Sequence, residues 1–311
     1  MNHMKINKLS AKANAFGKLA LLAAAVSMAG ATGLYADDVI SGTREFKEAK
    51  ELDGEGTLWI ARDAVLKFTG EKATIARVVE IQPSGRRRHG YGIINVVNPK
   101  GELTLKVLLG NNEYNVYRRL EKSGPGTLIL DGDEDNSGAK LVVKDGTVIL
   151  GKASDPGTHA QGGTGWLEIY GDAKAGTVGT VRLAGTGGDQ IADEGNVILK
   201  GGVFDANIAA ETLNSFAFEE GGTIRFAYSE KTGKTGTLTV TGEDGFRVKE
   251  KNYIAIDNPD SWKPGVYDLI VASEEILATY FTNISLSPEV KNAKLALSAN
   301  KRAIQLVVEK K

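Results

Sequence analysis

The 311-residue sequence contains no cysteine and only seven prolines. Without cysteine the chain has no disulfide scaffold, no cysteine-ligated zinc or iron–sulfur site and no cysteine nucleophile. It also lacks an excess of either charge, since 38 basic and 39 acidic side chains give a formal net charge of −1. Nucleic-acid-binding proteins are normally basic, so we expect no nucleic-acid partner. Hydrophobic residues make up 41% of the chain, which predicts a packed core rather than disorder.

Acidic residues are absent before Asp37, and residues 1–36 have the layout of a secretory signal peptide. A basic segment precedes an uncharged, largely apolar run over residues 19–31, which small residues follow. The basic residues are Lys5, Lys8, Lys12 and Lys18. Cleavage after Ala36 is favoured over cleavage after Ala31, because the chain becomes acidic directly after Ala36. The alternative to a signal peptide is a membrane anchor that the protein retains.

Cleavage at that point removes four lysines and no acid, and it changes the formal net charge to −5. No later segment is long and apolar enough to span a bilayer, so we expect no membrane span after signal cleavage. These features predict an exported protein of the periplasm, the cell surface or the extracellular space.

Glycine is abundant, with 38 residues, and it punctuates a loose repeat. The triplet Gly-Thr followed by Leu, Val or Ile begins at Gly56, Gly126, Gly146, Gly176, Gly179, Gly222 and Gly236. Several of these starts are about 20 residues apart, and each opens a short segment in which apolar residues alternate, as Leu128 and Leu130 do. Alternation of this kind, bounded by Gly, Asn and Asp, predicts short strands. The one short stretch with helical spacing after the leader is at residues 274–280.

Short strands of this kind cannot bury an apolar face alone and must stack on neighbours. The sequence therefore predicts an all-β fold, a right-handed parallel β-helix (β-solenoid), over residues 37–250. A short β-rich capping segment is predicted over residues 251–311. About ten coils of about 20 residues would make a rod on the order of 50 Å long. One or more antiparallel sandwiches are the alternative, since strand spacings of eight to twelve residues also occur.

Residues 120–132, L-E-K-S-G-P-G-T-L-I-L-D-G, carry a more specific pattern, and residues 139–151, A-K-L-V-V-K-D-G-T-V-I-L-G, follow it. Together they resemble the passenger-associated transport repeat of autotransporters, also called the autotransporter-associated β-strand repeat. Residues 180–183, 189–193, 203–207 and 220–226 are similar to its continuation. Residues 45–119 diverge from the pattern. Residues 264–270 and the late strand 303–308 resemble the segment that closes such passengers.

The resemblance implies a rod that displays surfaces or supports adhesion, and the repeat carries no catalytic residues to transfer. Autotransporters also have a translocator barrel of many alternating strands of about ten residues each. The sequence after residue 250 has no comparable series, so we expect a passenger-like protein that lacks this barrel.

The acidic turn D-G-D-E-D-N at residues 131–136 resembles a calcium loop. It fails the EF-hand pattern, which requires Gly at the sixth position and a bidentate carboxylate at the twelfth; Asn136 and Val142 stand there. A looser calcium contact through Asp131, Asp133 and Asp135 stays open beside the simpler interpretation, a solvated turn.

A second group of candidates is basic or aromatic. The run Arg86-Arg87-Arg88-His89 fits either an anion contact or an exposed loop, and His89 and His159 are the histidines outside the leader. The aromatic residues Trp59, Tyr91, Trp166, Tyr170 and Trp262 form no evident cluster in sequence, and the tryptophans are expected to be packing residues.

We therefore expect an exported structural or adhesive β-solenoid scaffold of the bacterial surface or periplasm, with an unknown surface glycan or protein as partner. No catalytic, cofactor-binding or metal-binding residue is assigned, and no enzymatic activity is expected. The alternative is a β-helix protein that binds or cleaves polysaccharide, which would bring paired acids, or an acid and Arg or Lys, together in a groove. The oligomeric state stays open.

Overall fold

The computed structural model describes residues 37–81, 90–109, 118–132, 139–152, 165–185, 190–219 and 221–310. The predicted signal peptide lies outside these residues. Residues Asp37–Lys311 belong to one compact unit, which is all-β with mostly parallel strands. Among the described residues, no helix has the length and apolar character needed to cross a membrane.

Sheet A is a parallel sheet in which each strand pairs with strands that lie one coil earlier and one coil later in the chain. Its strands, in order, are β1 (Asp38–Ile40), β3 (Leu58–Ile60), β5 (Lys72–Ile81), β7 (Glu102–Leu109), β9 (Thr127–Leu130), β11 (Gly146–Leu150), β13 (Thr177–Leu183), β15 (Val203–Asn207), β18 (Thr223–Phe226), β23 (Asn252–Ile256) and β25 (Ile284–Leu286).

Sheet B is built in the same way from the strands between those of sheet A. Its strands are β2 (Thr43–Phe46), β4 (Ala64–Phe68), β6 (Gly90–Val96), β8 (Arg118–Ser123), β10 (Ala139–Val143), β12 (Trp166–Asp172), β14 (Asn196–Lys200), β17 (Ser215–Phe218) and β22 (Phe246–Val248). The chain therefore coils, and each turn of the coil gives one strand to sheet A and one to sheet B.

Sheet C is formed by the later coils, and the pairing of its strands changes from parallel to antiparallel near the end of the chain. Its first three strands are parallel, and its last two are antiparallel additions. The strands, in spatial order, are β16 (Ala210–Leu213), β21 (Thr237–Val240), β24 (Gly265–Ala272), β27 (Ala303–Val308) and β26 (Ala293–Leu297). The remaining elements are the hairpin β19 (Tyr228–Ser229) and β20 (Lys234–Thr235), two 3-10 turns (Ala49–Leu52 and Pro259–Ser261) and the helix α1 (Ala278–Thr282).

Inward side chains of successive coils stack in continuous ladders. Leu103, Leu128, Val148 and Val181 hold equivalent positions in sheet A, and each is fully buried. Because a strand alternates its side chains between two faces, the residues next to each of these four on its strand point outward. The core is therefore an aliphatic spine enclosed by the two parallel sheets, with phenylalanines added in the first coils and again in the later ones.

Glycine is required where one corner of the coil packs on the next. Gly146 has φ +68°, a backbone conformation that residues with a side chain rarely adopt. A Cβ at this position would also lie 2.4 Å from the carbonyl oxygen of Gly124. A Cβ on Gly126 would lie 2.4 Å from the carbonyl oxygen of Asn98. The backbones of adjacent corners touch at these two positions, which gives a physical reason for glycine in the triplets at Gly126 and Gly146.

Lys122 lies near the end of β8 at the same corner and points inward, in register with the buried Ile94 and Val143. Its Nζ donates hydrogen bonds to the carbonyl oxygens of Ser123 (3.0 Å), Gly124 (2.6 Å) and Asp145 (3.0 Å). Burial lowers the pKa of Lys122 to about 8, against a smaller opposite effect of the Asp145 charge.

The predicted all-β character and the stacking of short strands are confirmed, and the parallel pairing of sheets A and B does not fit the antiparallel sandwich alternative. The late strand predicted at residues 303–308 is β27. The helical turn predicted at residues 274–280 is displaced, because α1 begins at Ala278. The backbone N–H of Ile276 donates to the carbonyl of Lys301, and this bond ties the preceding residues to the chain before β27.

The first prediction compares the two faces of β9. Leu128→Ala should lower the free energy of unfolding by about 2–5 kcal/mol, because it opens a cavity in the spine between neighbouring coils. Ile129→Ala, one residue away on the outer face, should cost less than about 1 kcal/mol. Urea unfolding followed by circular dichroism measures both. Equal losses for the two variants would contradict a continuous inner ladder.

Candidate functional site

The outer face of β12 carries an unusual set of side chains. Leu167 and Ile169 point into the core, so Trp166, Glu168 and Tyr170 point outward together. The parallel register places cationic residues of neighbouring coils beside them. We call this set the Glu168 cluster; its members are Arg119, Lys140, Lys144, Trp166, Glu168, Tyr170 and Lys200.

Glu168 is the hub of this cluster. Its Oε1 lies 2.6 Å from the Nζ of Lys140, and its Oε2 accepts a hydrogen bond of 2.6 Å from the hydroxyl of Tyr170. The indole N–H of Trp166 donates to Oε1 at 3.1 Å. Lys200 on β14 lies 3.3 Å away, and Arg119 on β8 lies 3.7 Å away. Three different strands thus bring cations to one carboxylate that is 5% exposed.

These contacts fix the protonation state of Glu168. Burial alone would raise the pKa of the carboxyl, but the hydrogen bonds from Lys140, Tyr170 and Trp166 and the Lys140 charge outweigh it and lower the pKa to about 2. Burial and the hydrogen bond to Glu168 raise the pKa of the Tyr170 hydroxyl. Glu168 is therefore an anion, and Tyr170 a neutral donor, at physiological pH.

Lysines also lie against the aromatic rings. The Nζ of Lys144 lies 3.3 Å from the centre of the Tyr170 ring, and that of Lys200 lies 4.9 Å from it. The Nζ of Lys140 lies 4.3 Å from the Trp166 ring centre. Cation–π contacts of this kind each contribute on the order of 0.5–2 kcal/mol. The rings thus help to hold the ammonium groups on the outer face of sheet B.

The arrangement suits binding better than acid–base chemistry. A general acid needs a raised carboxyl pKa, whereas the pKa of Glu168 is lowered. Hydrolysis of a glycosidic bond also uses a second carboxyl group about 5–10 Å from the first. Of the described residues in the cluster, Glu168 is the one acid. The raised pKa of the Tyr170 hydroxyl keeps it protonated at neutral pH, so the phenolate that could act as a base is not populated.

Of the three residues of the calcium hypothesis, only Asp131 lies within the part of the chain that the structure describes. Asp131 accepts hydrogen bonds from the Nζ of Lys106 and from the backbone N–H of Gly132, the latter at 2.8 Å. The bond from Lys106 is the main cause that lowers the pKa of Asp131. Asp133 and Asp135 lie outside the described residues, and within the described part of the chain no group of three His, Asp or Glu side chains could hold a metal.

The other sequence-derived candidates are dispersed. Arg86–His89 and His159 lie outside the described residues, as does the side chain of Tyr91. Trp262 is 5% exposed and donates to the carbonyl of Asp257 at 2.9 Å, which fits a packing residue. Two of the five aromatic residues, Trp166 and Tyr170, hydrogen-bond to the same carboxylate, which the sequence pattern did not predict. Trp166 and Tyr170 meet at Glu168 because they alternate on one face of one strand.

A cavity of about 630 Å³ lies near the end of the chain, bounded by Trp262, Pro264 and Val290 among others. Glu309 also lines it and accepts a hydrogen bond of 2.7 Å from Lys294, which lowers the pKa of the carboxyl. An ionised, paired Glu309 is unsuited to act as a general acid. Asp260 and Glu289 also line the cavity, so it brings several acids together and stays a second candidate site beside the Glu168 cluster.

Comparison with known proteins places part of this chain beside autotransporters. It is 30% identical over 152 residues to two proteins named immunoglobulin A1 protease autotransporter, one from Haemophilus influenzae strain Rd and one from Haemophilus influenzae. The match covers 47% of this chain and 8% of each relative, so the chain spans a small fraction of their length. No protein-family profile matches the chain. The similarity supports a passenger-like relationship to autotransporters.

The second prediction concerns the pH dependence of the Glu168 cluster. The folded pKa of Glu168, about 2, lies below its ordinary value of 4.5. Its contribution to stability, up to about 3 kcal/mol, is therefore present above pH 4.5 and is lost as the pH falls toward 2. Glu168→Gln should destabilise the protein at pH 7, and its difference from wild type should shrink steadily below pH 4.5.

Glu45→Gln is the matched control, because Glu45 pairs with Lys67 at 2.9 Å on the same face of sheet B but is exposed. It should cost less than about 1 kcal/mol at either pH. Urea unfolding at pH 7, 4 and 3 measures all three proteins. A Glu168→Gln difference that does not change with pH would contradict the assigned charge state.

Proposed function

We propose that this protein is an exported, non-enzymatic β-solenoid scaffold with a structural or adhesive role at the bacterial cell surface or in the periplasm. The observation that carries the proposal is the coil itself: successive turns give parallel strands to two sheets around one aliphatic spine. Such an arrangement is stiff along its axis and presents regular outer faces. The partial identity to autotransporters supports an exported setting.

The finer features of the fold belong to the same proposal. We take the coil to be right-handed, because crossovers between parallel strands are right-handed in about 98% of cases. Residues 120–228 are taken as passenger-associated transport repeats; the corner contacts of Lys122 and Gly146 give their glycine phrase a structural reason. Residues 251–311 act as a cap, and the antiparallel strands β26 and β27 extend sheet C beside its parallel strands.

The alternative is a protein that binds or cleaves polysaccharide. Binding is compatible with the scaffold, because the Glu168 cluster holds cations and aromatic rings on one outer face. Cleavage is not supported at the Glu168 cluster, because the pKa of its one acid is lowered; in the alternative it would belong to the cavity near the end of the chain, which Asp260, Glu289 and Glu309 line. No calcium or other cofactor is part of the proposal.

The third prediction tests stiffness. The chain has no cysteine, so a pair introduced as Glu45→Cys and Lys249→Cys can be labelled uniquely. Both positions are exposed on the outer face of sheet B, and eight strand spacings from β2 to β22 separate them. Pulsed electron double resonance should give one narrow distance near 38 Å, allowing for the labels. A broad distribution would rule out a stiff scaffold.

The fourth prediction tests export. Expression of the full chain in a Gram-negative bacterium should yield a periplasmic or surface protein whose amino terminus is Asp37, as read by mass spectrometry. Cleavage after Ala31 would instead give Thr32. Leu22→Arg should block processing, because it places a charge in the apolar run. A wild-type protein that stays in the cytoplasm with residues 1–36 attached would contradict the exported part of the proposal.

A further inference from the structure

The outer surface of the Glu168 cluster is cationic although a carboxylate lies at its centre. The side chains of Arg119, Lys140 and Lys200 are 21%, 19% and 21% exposed, whereas that of Glu168 is 7% exposed. Solvent therefore reaches the side chains of these three cations more than it reaches the carboxylate. An ammonium group carries three donors, and Lys140 directs one of them at Glu168. Among the described residues, the cluster has four cations and one acid.

The register arranges these cations along the axis of the coil. Arg119, Lys140 and Trp166 occupy the same position on three consecutive coils. Tyr170 and Lys200 are likewise in register, and Lys144 reaches the Tyr170 ring from the preceding coil. Neighbouring coils are about 4.8 Å apart, so Lys144 and Lys200 are separated by about 10 Å along the axis. The cluster thus offers two short rows of positive charge, with an aromatic residue in each.

Glu168 holds these rows in place. Pairing with one buried carboxylate and contact with two rings fix side chains that would otherwise sample many rotamers. A ligand that binds such a pre-ordered group loses less conformational entropy. Because the pKa of Glu168 is far below neutral, this support is present at every physiological pH.

We propose that the outer face of sheet B at the Glu168 cluster binds a linear anionic polysaccharide that lies along the coil axis, with its carboxylates against Arg119, Lys140, Lys144 and Lys200. The inference rests on the proposed adhesive function and names its ligand class. Charge complementarity supplies the attraction, and the spacing of two coils suits a polymer with one carboxylate per disaccharide. Double-stranded DNA is a poorer match, because it carries one charge per about 1.7 Å and the protein as a whole has no excess of positive charge.

The test uses the purified full chain and isothermal titration with a hyaluronan octasaccharide, which carries one carboxylate per disaccharide. Binding should weaken as salt is raised, and the double variant Lys144→Gln with Lys200→Gln should weaken it roughly tenfold. The matched control is Lys67→Gln with Lys249→Gln, which removes two lysines from the same face of sheet B. This control should change affinity by less than about twofold.

Loss of Lys200 removes a contact of Glu168, so Lys144→Gln alone provides a second variant; Lys144 lies against the Tyr170 ring rather than the carboxylate. It should lower the melting temperature by no more than a few degrees, as the loss of one cation–π contact would, and still weaken binding about threefold. Dextran sulfate of similar length, which carries sulfates but no carboxylates, separates sulfate from carboxylate recognition, and a DNA duplex tests the other polyanion class. Stronger binding of DNA than of hyaluronan would overturn the proposal.

Equal losses in the cluster and control variants, or binding of neutral dextran as tight as that of hyaluronan, would also overturn it. Failure here leaves the scaffold proposal intact if the spin-label distance and the processed terminus are as expected. A broad distance distribution would instead remove the scaffold on which the inference rests.

Discussion

The constraint on which this structure depends is the parallel, in-register pairing of each strand with the strand one coil before and one coil after it. At about 4.8 Å between strands, every side chain must fit the residue above and the residue below. Inside, this requirement produces ladders of Leu, Val and Ile. Phenylalanines of the two sheets then pack edge to face in the later core, among them Phe204, Phe216 and Phe218. Outside, it favours charges that alternate in sign from coil to coil, as Arg182 and Asp205 do at 3.6 Å.

On the outer surface, the Glu168 cluster follows from the same pairing, which places opposite charges on adjacent coils next to each other. A carboxylate on one coil meets cations from the coils on both sides, and two rings of its own strand close the group. The carboxylate is nearly buried, and burying a charge is costly unless it is paired and hydrogen-bonded. Glu168 meets both conditions, which explains why its pKa falls although burial acts to raise it. The same arrangement that stabilises the anion makes it a poor proton donor and a good anchor for neighbouring cations.

The fold could be predicted from the sequence because alternation and glycine punctuation are local signals, and the stacked all-β arrangement follows from them. The cluster could not, because it joins residues whose separation varies. Arg119 and Lys140 are 21 residues apart, Lys140 and Trp166 are 26 apart, and Trp166 and Asn196 are 30 apart, yet each pair is in register. Loops of changing length hide the register, so no fixed period points to it. One signal was present in the sequence: Trp166, Glu168 and Tyr170 alternate with buried aliphatic residues, and this pattern places them on one outer face.

The buried Lys122 explains how β8 and β10 can pair in a single register although the loops between strands differ in length. An aliphatic ladder tolerates a slip of two residues, since the same face then stays buried. A buried ammonium does not, because it must find acceptors or bear the full cost of desolvation. Lys122 finds them in the carbonyls of Ser123 and Gly124 on its own corner and of Asp145 on the next corner. Its position therefore locks β8 against β10. These strands carry Arg119 and Lys140, so a polar residue inside the spine fixes the positions of the cations that meet Glu168 on the outside.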